Sequence, residues 1–373
     1  MSKTWGDGAS ERNDLPNARS LGDVRIRSAI PQETSESAAA KRRPRAAVTI
    51  HEVARMAGVS IITVSRAINT PDLVSASTRK RVTEAIARAG YVPNLMAGGL
   101  RSSKSRLVAA LVPTLSGQVF SEMVRSLTES LAAKGYQVML GQMGYGDSRE
   151  DELLRAIIGR RPDGIVITGI MHSAEGRRLL LMSGIPIVET WDYTPTPIDS
   201  LVGFSHESVG REVCDYLVAR GRRRLAIISA DDRRAVQRQE GFLRSAARAN
   251  LRKPRVKLVP APATHASGRK GLSDVLAFDP NIDAVFCSSD TLAMGVLTEA
   301  RARGIAVPES LAIVGFGDLE FAATLQPSLT TVRVNGALMG TTAAQFIIDR
   351  AEGRVVRDRV VDIGFTVVRR ESA

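Results

Sequence analysis

Between Leu107 and Gly315 the chain alternates short apolar runs with amphipathic stretches of ten residues or more, and few architectures accept that pattern. The runs Leu107–Val112, Gln137–Leu140, Gly164–Thr168 and Ile185–Glu189 read as strands, with helices over Gln118–Lys134, Ser148–Arg160 and the stretch before Ile185. A second series follows: helix 206–220, strand Leu225–Ser229, helix Ala235–Asn250, strand Val256–Val259 and helix 267–277. Strand Ala284–Cys287, helix Thr291–Arg303 and strand Ala312–Gly315 complete it, and Asp362–Val368 reads as a final strand. Repeated β-α units predict parallel sheets covered by helices on both faces. Two such series predict an α/β body of two lobes. A ligand then belongs in the cleft at the carboxyl ends of the strands.

Ahead of this body lies Val48–Asn69, VTIHEVARMAGVSIITVSRAIN, which reads as two short helices around a tight turn. Thr49 and Glu52 have the spacing of a capping box, in which hydroxyl and carboxylate each satisfy a free backbone N–H. Ile50, Val53, Ala54 and Ala57 form an apolar stripe. Gly58 supplies the left-handed turn, Val59 fills its angle and Ser60 caps the second helix. In that helix Val64, Ala67 and Ile68 face inward, while Ile61, Ile62, Ser65, Arg66 and Asn69 share the outer face. Adjacent isoleucines at an exposed helix start imply that something docks on them. A third helix, about Ser77 to Ala89, buries Val82, Ile86 and Ala89 and stops at Gly90.

The net charge of +12 concentrates here: residues 41–106 carry 13 Lys/Arg against Glu52, Asp72 and Glu84. Clustered basicity around a helix-turn-helix pattern is the footprint of a phosphate-binding surface. Residues 1–47 are polar, without periodicity or an apolar h-region, and predict a disordered extension of a cytoplasmic, nucleoid-associated protein. The run Lys41–Arg45 either adds phosphate contacts or is a solvated tail. No run of about 20 apolar residues predicts a membrane span. Cys214 and Cys287 sit in apolar surroundings and read as reduced core residues, and no cofactor or metal is expected.

Val48–Asn69, followed by VSASTRKRVTEAIARAGYVPN, resembles the headpiece of LacI/GalR-type bacterial repressors, and the likeness continues into that family's hinge, Pro93–Arg101. Gly98 and Gly99 each cost a helix roughly 1 kcal/mol, so a hinge helix should form only when two copies pair on DNA. The resemblance implies that Leu100, beside Ala97, wedges between base steps in the minor groove. It also implies a periplasmic-binding-protein-like body of two doubly wound sheets over 107–373. The expected organisation is therefore extension 1–47, headpiece 48–93, hinge and linker 94–106, and effector and dimerisation body 107–373.

Ser60, Ile61, Ile62, Thr63, Ser65, Arg66 and Asn69 would then enter the major groove, the isoleucines reading thymine methyls and Arg66 a guanine edge or phosphate. Thr49, Tyr91 and Asn94 would hold backbone. A two-fold dimer implies a pseudo-palindromic operator. The segments VPTLSGQVFSE (112–122), KGYQVMLGQMGY (134–145), GIPIVE (184–189), VGFSHESVGREV (202–213) and DAVFCSSDTLAMG (283–295) most resemble repressors of gluconate utilisation. By position, Arg238, three residues before Gly241-Phe242, matches the family's ligand-gripping arginine, whose planar fork suits a carboxylate or paired hydroxyls. Gly317 stands where sugar-binding relatives often have aspartate. Losing that anion favours an anionic ligand such as gluconate, the alternative being a regulator of the same class that responds to a neutral or phosphorylated sugar. Ser289 replaces a frequent asparagine, and Asp290 either bridges hydroxyls or caps the next helix. The first lobe is expected to offer Ser116, Gln118 and Phe120, Thr168 to His172, Glu189, and Trp191 for stacking. His172 either meets a carboxylate or faces solvent.

An enzyme is disfavoured: there is no Walker loop, no GxSxG, no metal-ligand cluster, and the four histidines (His51, His172, His206, His265) are scattered. The headpiece argues against a transport-type sugar-binding protein. The expectation is a ligand-controlled, DNA-binding transcriptional regulator.

Overall fold

The structure, a computed structural model, describes residues 48–92, 104–115, 118–144, 150–171 and 173–373. The extension, most of the hinge with Asn94, Ala97 and Leu100, and two cleft candidates, Ser116 and His172, lie outside the described residues. The described chain forms two compact units, one ending at Val92 and one containing everything from Lys104 onward.

The first unit has three helices: α1 (Ile50–Ala57), α2 (Ile61–Asn69) and α3 (Ala76–Ala89). Val53, Ala54, Ala57, Val64, Val82 and Ala85 are buried, with Ile50, Val59, Ala67, Ile68, Ile86, Ala89 and Tyr91 packed around them. Gly58 adopts φ 62° and closes α1, a left-handed conformation that costs glycine nothing. Ser60 caps α2, its oxygen accepting from the Thr63 N–H at 3.1 Å. The expected capping box does not form. Thr49 has the N-cap backbone but its hydroxyl makes no cap hydrogen bond. Glu52 lies 3.8 Å from Arg55, one turn along the helix.

The second unit holds two six-stranded sheets. The first-lobe sheet contains β1 (Leu107–Val112), β2 (Gln137–Gln142), β3 (Gly164–Thr168), β4 (Ile187–Thr190), β5 (Ser200–Gly203) and β11 (Val360–Asp362) in the order β11-β5-β4-β3-β1-β2. The second-lobe sheet contains β6 (Leu225–Ala230), β7 (Arg255–Val259), β8 (Ala284–Cys287), β9 (Ala312–Phe316), β10 (Thr330–Arg333) and β12 (Thr366–Val368), ordered β12-β10-β9-β8-β6-β7. All pairings are parallel except β10–β12, which is antiparallel. Central strands such as β3, β6 and β9 are buried along their whole length, because helices cover both faces. The edge strands β2 and β7 keep exposed positions.

The helices are α4 (Ser121–Ala132), α5 (Glu150–Ile158) and α6 (Ala174–Ser183) in the first lobe. The second lobe carries α7 (His206–Ala219), α8 (Arg233–Arg248), α9 (His265–Phe278) and α10 (Asp290–Ala302). The last helix, α11 (Gly336–Ala351), returns to the first lobe against α4 and the β3–β5 edge. Elements β5, β10 and α11 were not expected from sequence. The expected single strand Asp362–Val368 is two strands split at Gly364, β11 in one sheet and β12 in the other. Among the described residues the chain therefore passes between the lobes three times: after β5, after β10 and between β11 and β12. No described helix is long and apolar enough to cross a membrane.

Candidate functional site: effector cleft and nucleic-acid interface

A cleft of about 490 Å³ opens between the lobes. Its walls come from strand ends and the residues just beyond them: Thr114 after β1, Trp191 after β4, Ala230 ending β6, Ser288 after β8 and Phe316 ending β9. Parallel strands bring their carboxyl ends to one side, so residues far apart in sequence converge there.

Arg238 is buried in this wall. Its Nη1 donates to His206 Nδ1 at 2.9 Å and its Nη2 to the Ser288 carbonyl at 3.0 Å, with the guanidinium 4.0 Å over the Phe316 ring. The close crossing of α7 and α8 fixes it. A Cβ on Gly210 would lie 1.8 Å from the Arg238 carbonyl oxygen, and one on Gly241 2.0 Å from that of Glu207. The Gly-Phe pair after Arg238 thus has a packing role: Gly241 admits α7, and Phe242 stacks on Phe286 at 5.6 Å beneath the strand ends.

Burial, reinforced by the Arg238 charge, holds the His206 imidazole well below its usual pKa, so the ring is neutral. Its Nε2 lies 2.9 Å from the Trp191 carbonyl. Trp191 sits at φ 59°, unusual for a bulky residue, and packs edge-on against Phe120 at 5.2 Å and Phe204 at 5.8 Å. Gln118, Phe120 and Trp191 all line the cleft.

A second arginine, Arg234, also lines it and was missed from sequence. It lies 5.3 Å from the Phe120 ring centre and donates to the Thr168 carbonyl at 3.4 Å, reaching the first lobe from α8. Its spacing of four residues from Arg238, one helical turn, was the available signal. The one carboxylate among the described lining residues is Asp232, which caps α8 by accepting from the Ala235 N–H at 3.2 Å. Two guanidinium groups thus face one engaged carboxylate among the described lining residues.

Three other candidates stand behind the wall. Glu189 is fully buried, its oxygens accepting from the N–H groups of Met171 at 3.1 Å and Ile198 at 2.8 Å, and burial raises its pKa. It ties together the loops after β3 and β4. Thr168 is buried and offers the cleft side only its carbonyl to Arg234. Asp290 accepts from the Thr331 hydroxyl at 2.5 Å and the Leu319 N–H at 2.7 Å, anchoring the loop that carries the lining residues Leu319 and Phe321. The cap of α10 is Ser289, which accepts from the Leu292 N–H at 3.3 Å. Burial pushes the Asp290 carboxyl up to about 6, against the lowering pull of its two hydrogen bonds. Gly317 lies where the lobes approach: a Cβ there would meet Val119 at 3.5 Å and Asp290 at 3.6 Å. The neighbouring Asp318 is turned aside to Arg333 at 2.5 Å and Arg370 at 2.7 Å, so it does not restore the missing acid.

Cys214 and Cys287 are buried free thiols off the cleft lining, the first pushed up to about 11 by burial and the second also raised. No group of three metal-ligating side chains occurs among the described residues.

On the headpiece, Ile61 is 39% and Ile62 63% exposed, so the apolar outer face of α2 is real surface. Thr63 and Ser65 are half-buried, Thr63 held by Ser60 at 2.9 Å. Asn69 donates to the Ser65 carbonyl at 3.0 Å, and Arg66 is exposed. Tyr91 is half-buried against the three-helix core.

Residues 49–94 match the profile of bacterial regulatory proteins of the lacI family, and residues 214–373 that of the periplasmic binding protein-like domain. The HTH-type transcriptional regulator GntR of Pseudomonas aeruginosa is 37% identical over 87% of this chain and 95% of its own length. The Escherichia coli regulator of that name is 31% identical over 88% and 98%. The crystal structure of a LacI-family transcriptional regulator from Silicibacter pomeroyi aligns with a TM-score of 0.83 at 30% identity, covering 87% of this chain and 99% of the other. A helix-turn-helix unit, a bilobed body with a cleft and these relatives agree: the chain belongs to the LacI family and is a DNA-binding transcriptional regulator, not an enzyme.

Proposed function

We propose that this regulator is a cytoplasmic homodimeric repressor whose grip on a pseudo-palindromic operator is set by a sugar acid of the gluconate type. The observation that carries the effector reading is the charge of the cleft: its described lining holds two arginines, Arg234 and Arg238, and one acid, Asp232, already engaged in capping a helix, while the buried Asp192 behind the wall offsets part of the Arg234 charge. A carboxylate on the ligand would meet the positive charge of Arg238, and the apolar rings of Phe120, Trp191 and Phe316 would cover the carbon chain. The cavity volume is of the order that a six-carbon acid with bound water occupies. Arg234 favours one variant of this reading, a phosphorylated sugar acid with a second negative group.

In this reading the organisation is extension 1–47, headpiece 48–93, hinge 94–106 and body 107–373. Ser60, Ile61, Ile62, Thr63, Ser65, Arg66 and Asn69 meet the major groove, Thr49, Tyr91 and Asn94 the phosphates, and Ala97 and Leu100 the minor groove. Ligand occupancy shifts the population of lobe arrangements, and the paired hinges transmit that shift to DNA.

The test is calorimetry on the purified protein with gluconate, phosphogluconate, glucose and a purine nucleoside. Binding of an aldonate and not of glucose is expected; tight binding of glucose or the nucleoside alone refutes the reading. Arg238→Ala is expected to keep operator binding while losing the ligand response in a gel-shift titration, and an unchanged response removes Arg238 from the site.

A further inference from the structure

We propose that His206 is a positioning residue that ties the orientation of Arg238 to the apposition of the two lobes. This rests on the reading that Arg238 holds the effector. His206 opens α7 immediately after the first crossing between lobes, and its ring is buried against Phe204 at 4.6 Å and Phe316 at 6.0 Å. Its two nitrogens face groups of opposite character. Trp191 of the first lobe presents a carbonyl, which can only accept. Arg238 of the second lobe presents a guanidinium N–H, which can only donate. One protonation state satisfies both: a neutral imidazole with its proton on Nε2 and a lone pair on Nδ1. The imidazolium would set an N–H against the guanidinium, and the other tautomer would leave both contacts unmade.

The chain Trp191 carbonyl, imidazole, guanidinium is thus polarised in one direction and crosses from lobe to lobe. Its first-lobe end is itself constrained, because Trp191 has φ 59° and its ring is wedged between Phe120 and Phe204. A ligand that moves the Arg238 fork must either break its bond to His206 or carry the imidazole with it and so disturb the Trp191 contact. Conversely, a shift of the first lobe at Trp191 changes the acceptor that aims Arg238. Ligand affinity and lobe arrangement meet in one side chain, and this is the differential contact that a two-state switch requires.

The two ends can be cut separately. His206→Gln has a donor at the depth of Nε2 but no acceptor at that of Nδ1, so it keeps the Trp191 end and releases Arg238. His206→Asn has an acceptor at the depth of Nδ1 but does not reach Trp191. With gluconate as the probe, H206Q is expected to weaken binding about tenfold or more, the loss of a charge-assisted hydrogen bond. H206N is expected to bind gluconate within about threefold of the parent. Its operator affinity should respond to gluconate about tenfold less, because the tie between lobes is cut. His206→Phe, which keeps the ring packing, is expected to show both defects with a near-parental thermal unfolding curve. If H206Q and H206N both bind and respond like the parent while Arg238→Ala loses binding, the His206 proposal fails and the cleft reading stands.

A readout without ligand covers the case in which no sugar acid binds. In protein labelled with 15N-histidine, His206 is expected to show the Nε2–H tautomer, and Arg238→Ala is expected to shift its Nδ1 resonance. A freely titrating imidazole, or one carrying its proton on Nδ1, overturns the proposal.

Discussion

Asp290→Asn tests whether burial or hydrogen bonding governs the acid behind the cleft. Asp290 is fully buried, yet it accepts from Thr331 and Leu319. Burial favours the neutral form and the hydrogen bonds favour the anion; burial prevails, raising the pKa from 3.8 to about 6. The folded state then holds this proton more tightly than the unfolded chain does. The contribution to stability is complete below the unfolded value near pH 4 and is lost as pH rises through about 6. A shift of this size, at about 1.4 kcal/mol per pH unit, corresponds to on the order of 3 kcal/mol at neutral pH. Asparagine does not titrate, and it can accept from the Leu319 N–H while donating to the Thr331 hydroxyl. The stability of D290N relative to the parent should therefore rise between pH 4 and pH 7 by on the order of 3 kcal/mol. Urea unfolding of both proteins by circular dichroism, at equal concentration across that range, measures the gap. Comparing the two removes every other titrating group from the result. A gap that does not change with pH refutes the argument, because Asp290 would then be an ordinary anion whose hydrogen bonds offset its burial. A gap that shrinks as pH rises means that the hydrogen bonds prevail.

Gly241→Ala pushes a methyl into the Glu207 carbonyl at the α7–α8 crossing. It should destabilise the body by about 1–3 kcal/mol, less the roughly 1 kcal/mol that alanine returns to a helix, and weaken effector binding by displacing Arg238. Thermal unfolding and calorimetry check both effects. Ser60→Ala removes the cap of α2 and should cost that helix about 1 kcal/mol, read as faster amide exchange in Ile61–Asn69 with the body unaffected. Ile62→Ala should narrow the preference for thymine over uracil at contacted operator positions. One buried methyl is worth about 0.8 kcal/mol, roughly fourfold in affinity, in competition gel shifts.

The amino-acid sequence by itself determined the elements whose burial is one-sided or complete, because apolar spacing records that burial directly. The runs Leu107–Val112, Gly164–Thr168 and Ala284–Cys287 emerge with the expected limits, and the turn at Gly58 and cap at Ser60 are local enough to read from a few residues. Arg238 was singled out by the family resemblance, position by position, and it does line the cleft. Locality also misled. Thr49 and Glu52 have capping-box spacing, but the Thr49 hydroxyl makes no cap bond and Glu52 lies 3.8 Å from Arg55. Period-two alternation in Asp362–Val368 marks extended chain without saying which sheet receives it, and Gly364 sends the two halves to different lobes.

Only the tertiary structure decided what the cleft is made of. His206 lies 15 residues from Trp191 and 32 from Arg238, and no spacing in one helix or strand predicts that one imidazole bridges both. Glu189 was expected at the cleft because it ends a strand there, and Asp290 either to bridge hydroxyls or to cap the next helix, but each carboxylate is already bonded within the protein. The physical reason is common to these cases. Burial of an apolar face is a property of a segment and is written in its periodicity, whereas the partner of a buried polar group is chosen by how distant segments converge. Here that convergence depends on three crossings between lobes, whose destinations no local periodicity records.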